Sequence, residues 1–134
     1  MPLISIVDDD LSVRRALRRV LQAAGYTVDV FASADDFLAS SPGSRTACLV
    51  LDIHMDGVTG FELQERMAAD GTGIPVIFIT AHDDASTRER VQRAGVAAYL
   101  PKPFSASALL AAIQQVLDST PSDGLTLTGT DAAP

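Results

Sequence analysis

Five times along this chain a short apolar run gives way to a segment with helical spacing, and no other feature narrows the fold as far. Strands buried on both faces of a parallel sheet read as continuous Val/Ile/Leu runs, and the segments between them supply the crossover helices. Leu3–Val7 is the first such strand. Leu11–Ala24 follows as a helix, with Val13, Ala16, Leu17, Val20, Leu21 and Ala24 on one stripe and Gly25 as its stop. Tyr26–Phe31 alternates as an edge strand does. Ser33 is placed to cap a second helix carrying Phe37 and Leu38, with Asp36 at the capping-box position. "ACLVL" (47–51) reads as the central strand, and Phe61–Ala69 as a helix after a glycine-containing loop. "IPVIFIT" (74–80) is the fourth strand, a helix ends over Arg88–Ala94 before Gly95, and "AAYL" (97–100) is the fifth strand. Ser105 caps a last helix that turns Leu109, Leu110, Ile113, Val116 and Leu117 inward.

At 134 residues the chain is long enough for one sizeable core, and 47% hydrophobic with 20% charged residues is a globular balance. No apolar run reaches membrane-spanning length, and the N-terminus "MPLISIVDDD" meets acid too early for a signal peptide. A cytoplasmic protein without membrane contact is the expectation. Cys48, the one cysteine, has no partner in the chain, which fits a reducing compartment. A net charge of −7 argues against a nucleic-acid surface. Of the 10 cationic residues only Lys102 is lysine. A GC-rich genome favours arginine codons, so the one retained lysine is informative. From Asp118 onward "DSTPSDGLTLTGTDAAP" has no Lys or Arg and is rich in Ser, Thr, Gly and Pro. It reads as a tail or truncated linker over 119–134 behind a domain spanning 1–118, although Leu125–Thr128 alternates like a short strand.

Ligands of doubly wound parallel sheets bind beyond the carboxyl ends of the strands. Here the first strand runs into Asp8, Asp9 and Asp10, the third into Asp52, the fourth into Thr80, and the fifth leads to Lys102. Three to five converging carboxylates at the rim of a core are costly unless their charge is compensated. A hard divalent cation solves this: Mg²⁺, or Mn²⁺ in its place, takes carboxylate oxygens, keeps waters and shares phosphate oxygens. Asp52 is then free to act as a nucleophile toward phosphorus, giving an aspartyl phosphate. The three equatorial oxygens would be shared by the metal, the Thr80 hydroxyl and the compact Lys102 ammonium.

The stretches that carry this chemistry are "IVDDD" (6–10), "LVLDIHMDGVTG" (49–60), "VIFITA" (76–81) and "YLPKPF" (99–104). Together they resemble the receiver domain of bacterial two-component response regulators, over roughly residues 3–118. "VFASADDFL" (30–38) resembles most the branch whose receivers are joined to LuxR-type helix-turn-helix output domains. The resemblance implies a (βα)5 flavodoxin-like, CheY-like fold with strand order 2-1-3-4-5 and helices on both faces. It implies Asp52 as phosphoacceptor, Asp8 and Asp9 as the acidic pair around Mg²⁺, and His54 as a backbone-carbonyl ligand. Thr80 would be the switch hydroxyl, Lys102 the phosphate-contacting lysine, and Tyr99 the aromatic that follows Thr80 inward. The Lys102–Pro103 bond is expected to be cis. The implied partners are a sensor histidine kinase or phosphotransfer protein and an output domain or downstream protein, with a phosphorylation-dependent homodimer among the outcomes. The receiver would catalyse its own phosphorylation and slow hydrolysis without being a turnover enzyme, and would switch the face built from its fourth helix, fifth strand and fifth helix. Taken singly, an acid triplet, a strand-end threonine and a "KPF" turn each have ordinary structural explanations. Their order at the strand ends is what carries the reading.

The chain departs from the pattern at Asp56, where the family usually has proline. Asp56-Gly57 is itself a turn former; the extra charge either tightens metal binding, slows an anionic donor, or points idly to water. Two histidines, His54 and His82, stand two residues after Asp52 and two after Thr80. Three readings are open: imidazoles that tune phosphoryl lifetime with a pH response between about 5 and 8, exposed loop residues, or a transition-metal site with the nearby carboxylates. Arg14, Arg15, Arg18 and Arg19 are either a solvated helix face or the patch read by a kinase. A haloacid-dehalogenase-like phosphatase is the rival enzyme, but it wants a second aspartate where this chain has His54, and the chain looks short for it. A flavodoxin-like cofactor module lacks its phosphate loop here. No helix-turn-helix pattern follows Leu117, so DNA binding by that means is not expected, and whether the receiver stands alone or comes from a larger regulator is open.

Overall fold

In the computed structural model, which describes residues 2–40, 45–55 and 57–119, β3 (Thr46–Asp52) is the axis of the molecule. Its side chains alternate in direction, as every strand's do, so Leu49 and Leu51 face one layer of helices while Cys48 and Val50 face the other. β1 (Leu3–Val7) and β4 (Val76–Thr80) flank it, and β2 (Thr27–Phe31) and β5 (Ala98–Pro101) form the edges. The sheet order is β2-β1-β3-β4-β5 and every pairing is parallel, as the family resemblance implied.

The crossovers are α1 (Leu11–Ala23), α2 (Ala34–Ala39), α3 (Gly60–Ala69) and α4 (Ala85–Ala94), and α5 (Ala106–Ser119) closes the order. They divide between two separate cores. Phe37, Leu63, Met67 and Val91 from α2, α3 and α4 pack with Leu49, Leu51 and Phe78 on one face. Leu17, Leu21, Leu109, Ile113 and Val116 from α1 and α5 pack with Ile4, Ile6, Val50, Ile77 and Ile79 on the other. Two of the hydroxyls buried in the sheet satisfy each other: Ser5 Oγ and Thr46 Oγ1 are 2.8 Å apart.

Element ends follow capping chemistry more than apolar spacing. α4 starts at Ala85, three residues before its periodicity is visible, because Asp84 accepts the Thr87 amide at 2.8 Å. Ser33 Oγ accepts the Asp36 amide as expected, at 3.1 Å, while a full reciprocal capping box stands at α3, between Thr59 and Glu62. β4 begins two residues later than the apolar run, and the Pro75 carbonyl takes the Leu49 amide at 2.9 Å. Gly95 ends α4 in the left-handed region, at φ 67°. Asp56 and the alternation at Leu125–Thr128 lie outside the described residues. Among the described residues no helix is long and apolar enough to cross a membrane.

Candidate functional site

Four strands deliver chemistry to one edge of the sheet. β1 runs into Asp8, fully buried, and Asp9, exposed; β3 carries Asp52 as its last residue, also buried. One carboxylate oxygen from each of these three lies within 4.8 Å of the others. β4 ends in Thr80, fully buried, and β5 leads to Lys102 through an amide that donates to the Thr80 carbonyl at 2.6 Å. The Lys102–Pro103 bond is cis, as the resemblance implied. Lys102 Nζ donates to Asp8 Oδ2 at 3.0 Å and stands 3.8 Å from Asp52 Oδ1.

Asp10 does not join the cluster that the acid triplet suggested. It is the N-cap of α1, accepting the Ser12 amide at 2.8 Å and the Val13 amide at 3.4 Å. Its own amide instead donates to Asp8 Oδ1 at 2.9 Å. Arg14 Nη1 donates to the Asp8 carbonyl at 2.8 Å, a contact that its spacing on α1 left unreadable. Asp8 is therefore held at its backbone carbonyl and at both carboxylate oxygens.

The loop after Asp52 turns back sharply. The Gly60 amide donates to the Ile53 carbonyl at 2.9 Å, and a Cβ on Gly60 would collide with the Asp52 carbonyl and come within 2.8 Å of Ile53 Cα. Only glycine lets α3 start so close to Asp52. Gly57 sits at φ +81°, in the left-handed region that glycine enters without strain.

Burial pushes the Asp52 carboxyl up to about 6, and the neighbouring Asp8 charge pushes it the same way. Lys102, and the His54 amide donating to Asp52 Oδ1 at 3.3 Å, pull in the opposite direction without cancelling it. One lysine is too little positive charge for three carboxylates. Oxygen-only donors, two of them buried, fit a hard divalent cation of the Mg²⁺ type. Neither histidine belongs to this group among the described residues, so the transition-metal reading of His54 and His82 with these carboxylates falls. Imidazole is a ligand for softer metals, and here the His54 ring and the His82 backbone amide meet a different partner.

That partner is Thr80. Its Oγ1 accepts the His82 amide at 3.0 Å and lies 2.9 Å from His54 Nδ1. The two imidazoles are themselves in contact, with centroids 4.5 Å apart. Desolvation and the nearby His82 lower the His54 pKa, which favours the neutral ring, and its tautomer sets which of the pair donates. Both histidines are exposed loop residues, yet His54 is not idle. Tyr99, half-buried on β5, sends its hydroxyl to Asp83 Oδ1 at 2.8 Å, and Arg88 Nη1 reaches the same oxygen at 3.0 Å. Sequence reasoning passed over Asp83 and Arg88, since nothing in their spacing points to Tyr99.

A parallel sheet in the order 2-1-3-4-5, with its acids gathered where the strands end, defines the flavodoxin-like class of folds. Within that class the chain belongs to the response regulator receiver domain family, whose profile matches residues 4–114. It is 37% identical over 111 residues to nodulation protein W of Bradyrhizobium diazoefficiens, covering 83% of this chain and 49% of that protein. It is 34% identical over 114 residues to the transcriptional regulatory protein FixJ of the same organism, covering 85% and 56%. The chain thus spans about half the length of the curated relatives it matches. Among solved structures it superposes on the response regulator StyR with TM-score 0.81 and 47% identity, covering 87% of this chain and 59% of that one.

Proposed function

We propose that this receiver accepts a phosphoryl group on Asp52 from the phosphohistidine of a sensor histidine kinase or phosphotransfer protein. The observation that carries this reading is the meeting of Asp8, Asp9 and Asp52 within 4.8 Å, with the Lys102 ammonium at 3.0 Å from one and 3.8 Å from another. Asp8, Asp9 and Asp52, with the His54 backbone carbonyl, would hold Mg²⁺ or Mn²⁺. The ion supplies positive charge against the transferring phosphoryl group.

In the transfer, an Asp52 carboxylate oxygen bonds to phosphorus while the P–N bond of the donor breaks and its imidazole leaves with the electron pair. Lys102 neutralises a phosphoryl oxygen. The Thr80 hydroxyl leaves His54 to donate to another, Tyr99 follows it inward, and the surface of α4, β5 and α5 changes its affinity for an output domain or downstream protein, a homodimer partner included. This is a shift between two conformations, not a turnover reaction. Water later attacks phosphorus and returns Asp52 and inorganic phosphate, and His54 and His82 tune how long that takes. The receiver occupies 1–118, with 119–134 as tail or linker, in a cytoplasmic regulator; the names of the relatives above support a regulatory output.

Incubation with Mg²⁺ and acetyl phosphate, followed by intact mass, tests the reading. The wild type gains one labile phosphoryl group; Asp52→Asn gains none, and chelation abolishes the gain. Equal gain by both proteins refutes the assignment. In the same samples His54→Ala decays at a different rate from wild type, and identical decay ends the tuning role.

A further inference from the structure

Tyr99 packs its ring against the core cluster that includes α2, α3 and α4, and its hydroxyl ends on Asp83 Oδ1 at 2.8 Å. Asp83 lies in the β4–α4 loop, three residues after Thr80. Arg88, on α4, donates from Nη1 to that same Oδ1 at 3.0 Å and to the Asp83 carbonyl at 3.3 Å. One carboxylate oxygen therefore ties together β5, the loop after the switch threonine, and α4. An exposed ion pair by itself contributes little, but here the arginine grips both ends of Asp83 and fixes the acceptor that Tyr99 uses. A phenol donating to a carboxylate makes one of the stronger hydrogen bonds open to it.

The geometry points to Asp83 and Arg88 as positioning residues that latch Tyr99 with its hydroxyl at the surface and so restrain the switch. The inference rests on the phosphoacceptor reading above. Tyr99 cannot turn in beside Thr80 and keep its bond to a loop carboxylate, so each inward turn breaks it. A contact made in one of two conformations biases their populations by its full strength. The latch thus sets how much of the unphosphorylated protein is ready to respond. Thr80 is engaged too, by His54 and by the His82 amide, so both moving side chains leave existing partners. Asp84, not Asp83, caps α4, so removing Asp83 leaves the helix start intact.

The chain has no tryptophan and two tyrosines, so in a Tyr26→Phe background Tyr99 is the only bright emitter. A hydrogen-bonded carboxylate quenches phenol fluorescence. Asp83→Ala in that background should raise tyrosine emission and speed phosphoryl uptake from acetyl phosphate with Mg²⁺ by three- to tenfold. With Tyr99→Phe, Asp83→Ala should leave the uptake rate unchanged, as a coupled pair requires. Unchanged emission overturns the latch whatever the rates do. A rate gain that persists with Tyr99→Phe also overturns it, by reducing Asp83 to one more negative charge near an anionic donor. A parent protein that takes up no phosphoryl group refutes the Asp52 reading, and the restraint with it. The emission change would still record the bond in that case, which tells the two failures apart.

Discussion

Burial works against the charge on Asp52. Its carboxyl is raised from 3.8 to about 6 by desolvation first and by Asp8 second. A carboxyl raised on folding favours the folded state fully below its unfolded value, near 4, and that contribution disappears as pH climbs through 6. At neutral pH the metal-free protein therefore carries an unwelcome charge there. A rise of that size corresponds to roughly 3 kcal/mol as an upper bound. Asp52→Asn should raise the unfolding free energy of chelated protein by about 1–3 kcal/mol at pH 7.5, and the gain should vanish by pH 4. Urea titrations at the two pH values check this, and an equal gain at both excludes the charge as the cause.

Among the elements, the β3–α3 loop is the most tightly specified. Gly60 faces backbone atoms that cannot move aside, the Asp52 carbonyl and Ile53 Cα. Gly60→Ala should cost about 2 kcal/mol or more in chemical denaturation, beyond an ordinary surface substitution. No loss of stability would show that the loop can shift away. At this scale most of the fold was legible. Continuous apolar runs marked the strands, and the stripes of α1 and α5 marked their buried faces. The start of α4 was not, because "DDASTRER" buries only Thr87 and announces itself through the Asp84 cap. The site acids, Thr80 and Lys102 were readable because parallel strands deliver their next residues to a common edge. Asp10 was misplaced for the same reason: it follows β1 just as closely, but α1 claims its side chain. Arg14, Asp83 and Arg88 were hidden because their partners are set by rotamers, not by spacing.

Taken whole, the molecule has a net charge of −7 and a trio of clustered carboxylates that could hold a cation. Binding to the folded form alone stabilises it by about 2.7 kcal/mol at a hundredfold excess over the dissociation constant. MgCl₂ should raise the melting temperature of the wild type above that in NaCl of equal ionic strength. Asp9→Ala should lose that difference, and keeping it would remove Asp9 from the metal site.

α5 begins just after Lys102 and, 14 residues later, ends at Ser119, beside Pro75 and Ala97, which precede β4 and β5. At 1.5 Å per residue that is about 20 Å of rigid rod. If Asp52 carries the phosphoryl group as proposed, a shift in how that rod beds against the sheet would relay the event across the depth of the domain, and a loosened seam along Leu109, Ile113 and Val116 would leave the far end deaf to it.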